Sequence, residues 1–166
     1  MIVLIGPMGA GKTTVGGLIA ERLGTSLRDT DHDVEAAAGR TISEIFVDEG
    51  EAAFRALERE AVAQALATHD GVLSLGGGAV LDAGTRDLLA GHDVVFLQVG
   101  LSDAVKRVGL GTSRPLLLGN VRGRIKALLD ERTPIYQSVA TISVATDGRE
   151  PAEVAEEILT ALEVSR

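Results

Sequence analysis

The residues Gly6-Pro-Met-Gly-Ala-Gly-Lys-Thr13 match the pattern G-x-x-x-x-G-K-[ST] in full, and the chemistry served by that pattern is the holding of phosphate. Phosphate oxygens need several donors at close range, and glycines let backbone N–H groups converge without a Cβ in the way. An apolar run over 2–5 precedes the loop and a helical pattern over 12–23 follows it. The loop therefore opens a helix, whose N-terminal partial positive charge adds to the cradle. Lys12 can reach the β- and γ-phosphates of a nucleoside triphosphate, and the Thr13 hydroxyl can ligate Mg²⁺. The competing reading is a glycine-rich turn by coincidence, which would not explain both flanks.

A second acidic cluster, Asp29-Thr-Asp31 with Asp33 two residues on, follows a weak strand over 27–29. Carboxylates at i and i+2 of an extended segment point the same way. Beside the phosphate loop, Asp29 could hold Mg²⁺ through water while Asp31 faces an acceptor hydroxyl and takes its proton. Equally, the cluster could be an acidic loop in which Asp33 caps a helix over 34–38. Gly76, Gly77 and Gly78 directly follow an apolar run over 72–75. Three glycines in a row are costly in backbone entropy, and a plain turn needs only one. Beyond the carboxyl end of a strand, their N–H groups suit an anion. No Asp ends this strand to direct Mg²⁺, so Ser74 or Asp29 would have to take that part.

Arg55, Arg107 and Arg132 are ambiguous, since each alone reads as a solvated charge, although Arg is suited to gripping a carboxylate. His32, His69 and His92 follow no metal-ligand spacing and read as surface loop residues.

The elements that must position these groups alternate. Short apolar runs rich in Val, Ile and Leu over 2–5, 72–75, 94–97 and 142–144 read as strands covered on both faces, with 27–29 as an edge strand. Helical patterns fall over 12–23, 51–67, 83–90, 121–130 and 151–164, with a capping box at Thr41 to Glu44. On the helix over 51–67, Phe54, Leu57, Ala61 and Ala65 form the expected buried stripe. Asp82 is expected to cap the helix over 83–90 and Gly91 to end it. Alternation implies a doubly wound α/β sheet in one domain spanning 1–166. The stretch over 109–119, with three glycines, Pro115 and a lone Arg114, fits neither pattern and reads as a lid.

Sixteen basic against 24 acidic residues give a net charge of -8, which argues against nucleic acid or an anionic membrane as a partner. An anionic ligand then requires bases concentrated in one cleft. There is no cysteine, which excludes disulfides and thiolate metal sites and fits a reducing cytoplasm. No apolar span reaches 18 residues, and the five-residue N-terminal run is short for a signal segment.

In their order, GPMGAGKT at 6–13, DTD at 29–31, FR at 54–55, LGGGAV at 75–80, SRPLL at 113–117 and ERTPIY at 131–136 resemble the shikimate kinase family over nearly the whole chain. The resemblance implies a five-stranded parallel sheet of the nucleoside-monophosphate-kinase kind, and transfer of the ATP γ-phosphoryl group to the 3-hydroxyl of shikimate. It implies that Asp31 binds ring hydroxyls and is the candidate base, and that Arg55 and Arg132 clamp the substrate carboxylate with help from Gly76, Gly77 and Gly78. Gly9, Ala10, Gly11, Lys12, Thr13 and Thr14 would hold the nucleotide. Arg107 and Arg149 would flank its adenine, and Lys12 and Arg114 would stabilise phosphoryl charge. Thr13 would ligate Mg²⁺ directly, with Asp29 and Ser74 acting through water. The segment over 34–61 would bind substrate and close with the lid over 109–120. A cytoplasmic monomer is expected, with a small acid as its partner.

Two other readings compete. One is a kinase for a different hydroxy acid or polyol, such as gluconate. The other is a non-catalytic nucleotide-binding module, which the presence of Lys12, Asp31 and Arg114 disfavours.

Overall fold

The run Ile2–Ile5 forms strand β1 with all four side chains buried. Successive side chains of a strand point to opposite faces, so an unbroken apolar run needs cover on both sides. The cover comes from two separate cores. Ile2 and Leu4 pack with Val95, Leu97 and Val144 against one set of helices, whereas Val3 and Ile5 pack with Leu73, Val94 and Phe96 against another.

The computed structural model describes residues 1–109 and 120–164. Within them the chain runs β1, α1 (Lys12–Leu23), β2 (Leu27–Asp29), α2 (Thr30–Ala38), α3 (Ile42–Glu49), α4 (Glu51–Thr68) and β3 (Val72–Ser74). A short 3-10 turn (Ala79–Leu81), α5 (Ala83–Leu89), β4 (Asp93–Gln98), α6 (Leu101–Gly109), α7 (Val121–Val139), β5 (Ile142–Ala145) and α8 (Pro151–Val164) follow. All neighbouring strands are parallel, in the order β2-β3-β1-β4-β5. The weak strand is at an edge, as its interrupted apolar pattern predicts. The expected lid and Arg114 lie outside the described residues, apart from positions 109 and 120.

The register aligns Leu4 with Ser74 and Ser74 with Asp29. The phosphate loop, the triple glycine and the acidic cluster therefore leave the sheet side by side. One face is closed by α1 and α8, through Val15, Ile19, Val154 and Ile158. The other is closed by Val62 of α4 and Tyr136 of α7. A third, smaller cluster of Val34, Ile45 and Phe54 joins α2, α3 and α4, with the Phe46 and Phe54 rings 4.9 Å apart.

Several sequence expectations are corrected. Asp31 is not on an extended segment but in the first turn of α2, and Asp29, not Asp33, caps that helix. Asp33 instead accepts from Arg28 Nε at 2.7 Å, which explains a charge in the edge strand. The fully buried residues of α4 are Phe54, Glu58, Val62 and Ala65, whereas the expected Leu57 and Ala61 are half-buried against the third cluster. Helix α5 does end as expected, with Ala90 as its C-cap and Gly91, at φ 87°, directly beyond it. Helix α7 runs well past Asp130 and carries Pro134 inside it. A proline there costs the bond to the carbonyl four residues back, and packing of Ile135, Tyr136 and Val139 into the second core holds the helix beyond it. His32 belongs to α2 rather than a loop, and His69 lies within 3.1 Å of the Ser26 and Val72 carbonyls.

Candidate active site

Helix α1 begins without a side-chain cap. Its N-cap is Gly11 in the left-handed region, at φ 91°, and no acidic residue stands in its first turn. By contrast, Asp29, Thr41 and Asp82 cap α2, α3 and α5 with their side chains. The first N–H groups of a helix need partners, and at α1 the sequence leaves them to an anion. The loop is wedged against β4: a Cβ on Gly6, at φ +148°, would stand 2.7 Å from the Leu97 carbonyl oxygen. Lys12 Nζ donates to the Gly6 and Pro7 carbonyl oxygens at 2.7 and 3.0 Å, so its charge sits over the loop.

The three glycines after β3 each make room for a different polar group. A Cβ on Gly76 would lie 2.7 Å from Asp31 Oδ1 and 3.0 Å from Glu58 Oε2. On Gly77 it would lie 3.6 Å from Arg132 Nη1, 3.6 Å from the Gly6 carbonyl oxygen and 3.7 Å from the Met8 nitrogen. On Gly78 it would lie 2.4 Å from Arg55 Nη1. Hence Asp31, Arg132 and Arg55 line up along one short segment, and that segment abuts the phosphate loop.

Thr30, fully buried at the start of α2, joins these parts. Its hydroxyl donates to the Ser74 carbonyl oxygen at 3.5 Å and accepts from the Gly76 N–H at 3.3 Å. The next residue, Asp31, has its pKa pushed up to about 6. Burial is the main cause, and Asp29, Glu58 and Glu35 add repulsion against an opposing pull from Lys12. A carboxyl poised there can accept a proton near neutral pH.

The arginines are not solvated charges. Arg55 donates to Glu58 Oε1 at 2.8 Å, and Glu58 is only 4% exposed. Arg132 Nε is fully buried with no hydrogen-bond partner among the described residues. A buried cationic N–H without an acceptor is costly, and a ligand carboxylate would supply one. Sequence reasoning missed Glu58, which presets the Arg55 fork. The available signal was a charge at the i+4 position between Phe54 and Val62 of an apolar stripe.

Arg107 donates to the Gly9 carbonyl oxygen at 3.0 Å and to Thr146 Oγ1 and O at 3.1 and 2.9 Å. Arg149 donates to the Ala145 carbonyl oxygen at 2.9 Å. The structure thus brings both to the loop after β5, beside the phosphate loop. Thr13 and Thr14, in the first turn of α1, are exposed. Asp29 and Ser74 are aligned in the sheet register, and with Thr13 they make a set of two hydroxyls and one carboxylate, all hard oxygen donors, which fits Mg²⁺ held partly through water. Asp29 Oδ1 also accepts from the Asp31 N–H at 2.8 Å.

A family model described as shikimate kinase matches residues 8–163. The chain belongs to the shikimate kinase family. A shikimate kinase of Thermobifida fusca is 64% identical over 156 residues, covering 94% of this chain and 91% of that protein. One of Streptomyces coelicolor is 60% identical over 164 residues, covering 99% and 96%. The solved shikimate kinase of Acinetobacter baumannii, in complex with shikimate, superposes with a TM-score of 0.94 at 36% identity, covering 99% of this chain and 93% of that one. In this shikimate kinase family member, the ordered motifs that fall among the described residues lie at the carboxyl ends of β1, β2 and β3 or on the helices facing them.

Proposed function

We propose that this chain transfers the γ-phosphoryl group of ATP to the 3-hydroxyl of shikimate. The observation carrying this reading is the triple glycine, which sets Asp31, Arg132 and Arg55 in a row against the phosphate loop. Arg55 and Arg132 bind the carboxylate of the acid, and the ring hydroxyls reach Asp31. The 3-hydroxyl oxygen attacks the γ-phosphorus, the bond to the β–γ bridging oxygen breaks, ADP leaves, and the hydroxyl proton passes to Asp31. Gly9, Ala10, Gly11, Thr13 and Thr14 hold the phosphates, while Lys12 opposes the charge spread over the transferring oxygens. Arg107 and Arg149 flank the adenine. Mg²⁺, held by Thr13 directly and by Asp29 and Ser74 through water, would supply charge neutralisation at the phosphates. Little covalent chemistry is asked of the protein, so positioning and electrostatics supply the rate.

The whole chain works as one catalytic domain, with 34–61 as the substrate-binding segment and 109–120 as a lid bringing Arg114 to the phosphates. Among the described residues no helix is long and apolar enough to cross a membrane. The net charge of -8 argues against nucleic acid as a partner, and we place the chain in the cytoplasm as a monomer acting on a small anion. The test is ATP consumption by the purified protein with shikimate present and absent, alongside gluconate and other hydroxy acids. Consumption driven by shikimate alone is expected. Turnover with gluconate instead would replace the acceptor, and binding of ATP without turnover on any acid would make the chain a nucleotide-binding module.

A further inference from the structure

Tyr136, the sole tyrosine of the chain, is fully buried on α7 two residues beyond Pro134. Its ring packs on Phe96 of β4, with centroids 4.9 Å apart and planes at 32°. The ring is thus fixed by the sheet core. Its hydroxyl, however, serves the site: it donates to the Gly77 carbonyl oxygen at 2.5 Å. Its titration is pushed up to about 12 by burial, against the opposing charge and hydrogen bonding of Arg132 and the charge of Arg55. The phenol stays neutral at any working pH and remains a donor.

A trans peptide is planar, and its C=O and following N–H point to opposite sides. No peptide in the described chain is cis. Fixing the Gly77 carbonyl toward Tyr136 therefore aims the Gly78 N–H the other way. Among the described residues, no protein acceptor takes the N–H of Gly77 or Gly78. Gly77 lies beside Arg132 and Gly78 beside Arg55. A glycine segment has little rotational preference of its own, so this peptide needs an external tie to hold one orientation.

We propose that the Tyr136 hydroxyl is a positioning residue for the acid-binding side of the pocket. It fixes the Gly77 peptide and steadies Arg132, so that the Gly78 N–H and the guanidinium meet the same substrate carboxylate. The inference rests on the kinase reading above and adds to it the group that sets preference for an ionised acid.

The test is Tyr136→Phe, which keeps the ring against Phe96 and removes only the hydroxyl. Steady-state constants are measured for ATP, for shikimate and for shikimate methyl ester, whose carboxyl carries no charge. The KM for shikimate is expected to rise about three- to tenfold, the scale of one lost neutral hydrogen bond, with the KM for ATP within about twofold of the parent. The preference for acid over ester should fall by the same factor. In an Arg132→Ala background the substitution should change the shikimate KM less than about twofold, since the two groups act together. An unchanged shikimate KM and acid-to-ester preference would overturn the proposal. So would equal losses for ATP and shikimate, or a variant that fails to fold, because either makes the hydroxyl a general structural requirement. Absence of shikimate-dependent turnover in the unsubstituted protein would instead defeat the kinase reading itself.

Discussion

The Arg55 guanidinium occupies the space that a side chain on Gly78 would need, with Nη1 2.4 Å from where a Cβ would stand. Because the obstacle is the end of a flexible side chain, Gly78→Ala would displace the arginine rather than the backbone. The variant should keep its melting temperature within a few degrees and raise the KM for shikimate about tenfold or more, with the KM for ATP unchanged. Gly6→Ala is the contrast. Its Cβ would meet a backbone carbonyl, at a φ that L residues rarely adopt, so nucleotide binding or folding should fail. Thermal melts with kinetics on both proteins check this; equal loss of stability would refute the distinction.

Asp31 titrates near 6 against 3.8 for an unperturbed carboxyl, so kcat/KM for shikimate should fall below about pH 6 as the base is protonated. The same shift fixes a stability sign. Between those two values the folded state holds more protons than the unfolded chain, so stability contributed here is present at low pH and lost as pH rises through the folded value. Asp31→Asn should therefore depress turnover by two or more orders of magnitude. It should also stabilise the fold at pH 7 by roughly 1–3 kcal/mol, with little gain at pH 4. Melting curves at the two pH values decide the matter, and destabilisation at pH 7 would contradict the assigned environment.

Lys12 Nζ donates to the Gly6 and Pro7 carbonyl oxygens, and in the proposed reaction its charge acts where phosphoryl oxygens gather. Lys12→Ala should abolish transfer while leaving the circular dichroism spectrum and melting temperature near those of the parent. Turnover close to the parent rate would remove it from the mechanism.

Arg132→Ala removes the buried donor proposed above for the substrate carboxylate. A charge-assisted hydrogen bond contributes roughly 1.5–3 kcal/mol, so the KM for shikimate should rise about 10- to 100-fold. Titration calorimetry with shikimate, independent of turnover, reads the same loss. Unaltered affinity would place the carboxylate elsewhere.

The parts of the site legible in the sequence are those written in contiguous residues. The phosphate loop and the triple glycine declare themselves because each is written as a contiguous glycine-rich run, although what crowds Gly76, Gly77 and Gly78 is largely side chains from elsewhere in the chain. The strands were legible for a related reason, since a run such as Ile2–Ile5 has few uses outside a sheet covered on both faces. Arg132 was opaque because its burial depends on α7 continuing through Pro134, which only the packing of Tyr136 and its neighbours explains. Glu58 was opaque because a glutamate in a helix rich in Ala and Glu looks solvated until Arg55 is seen to neutralise it. The role of Thr30 needed the pairing of Asp29 with Ser74, a relation between strands far apart in the chain.

The small cluster of Val34, Ile45 and Phe54 is separate from both cores that seal the sheet. Residues 34–54 therefore have an interior of their own. Acceptor choice could be redesigned by repacking that interior, and ATP handling, rooted in β1 and α1, would carry over unchanged into the new enzyme.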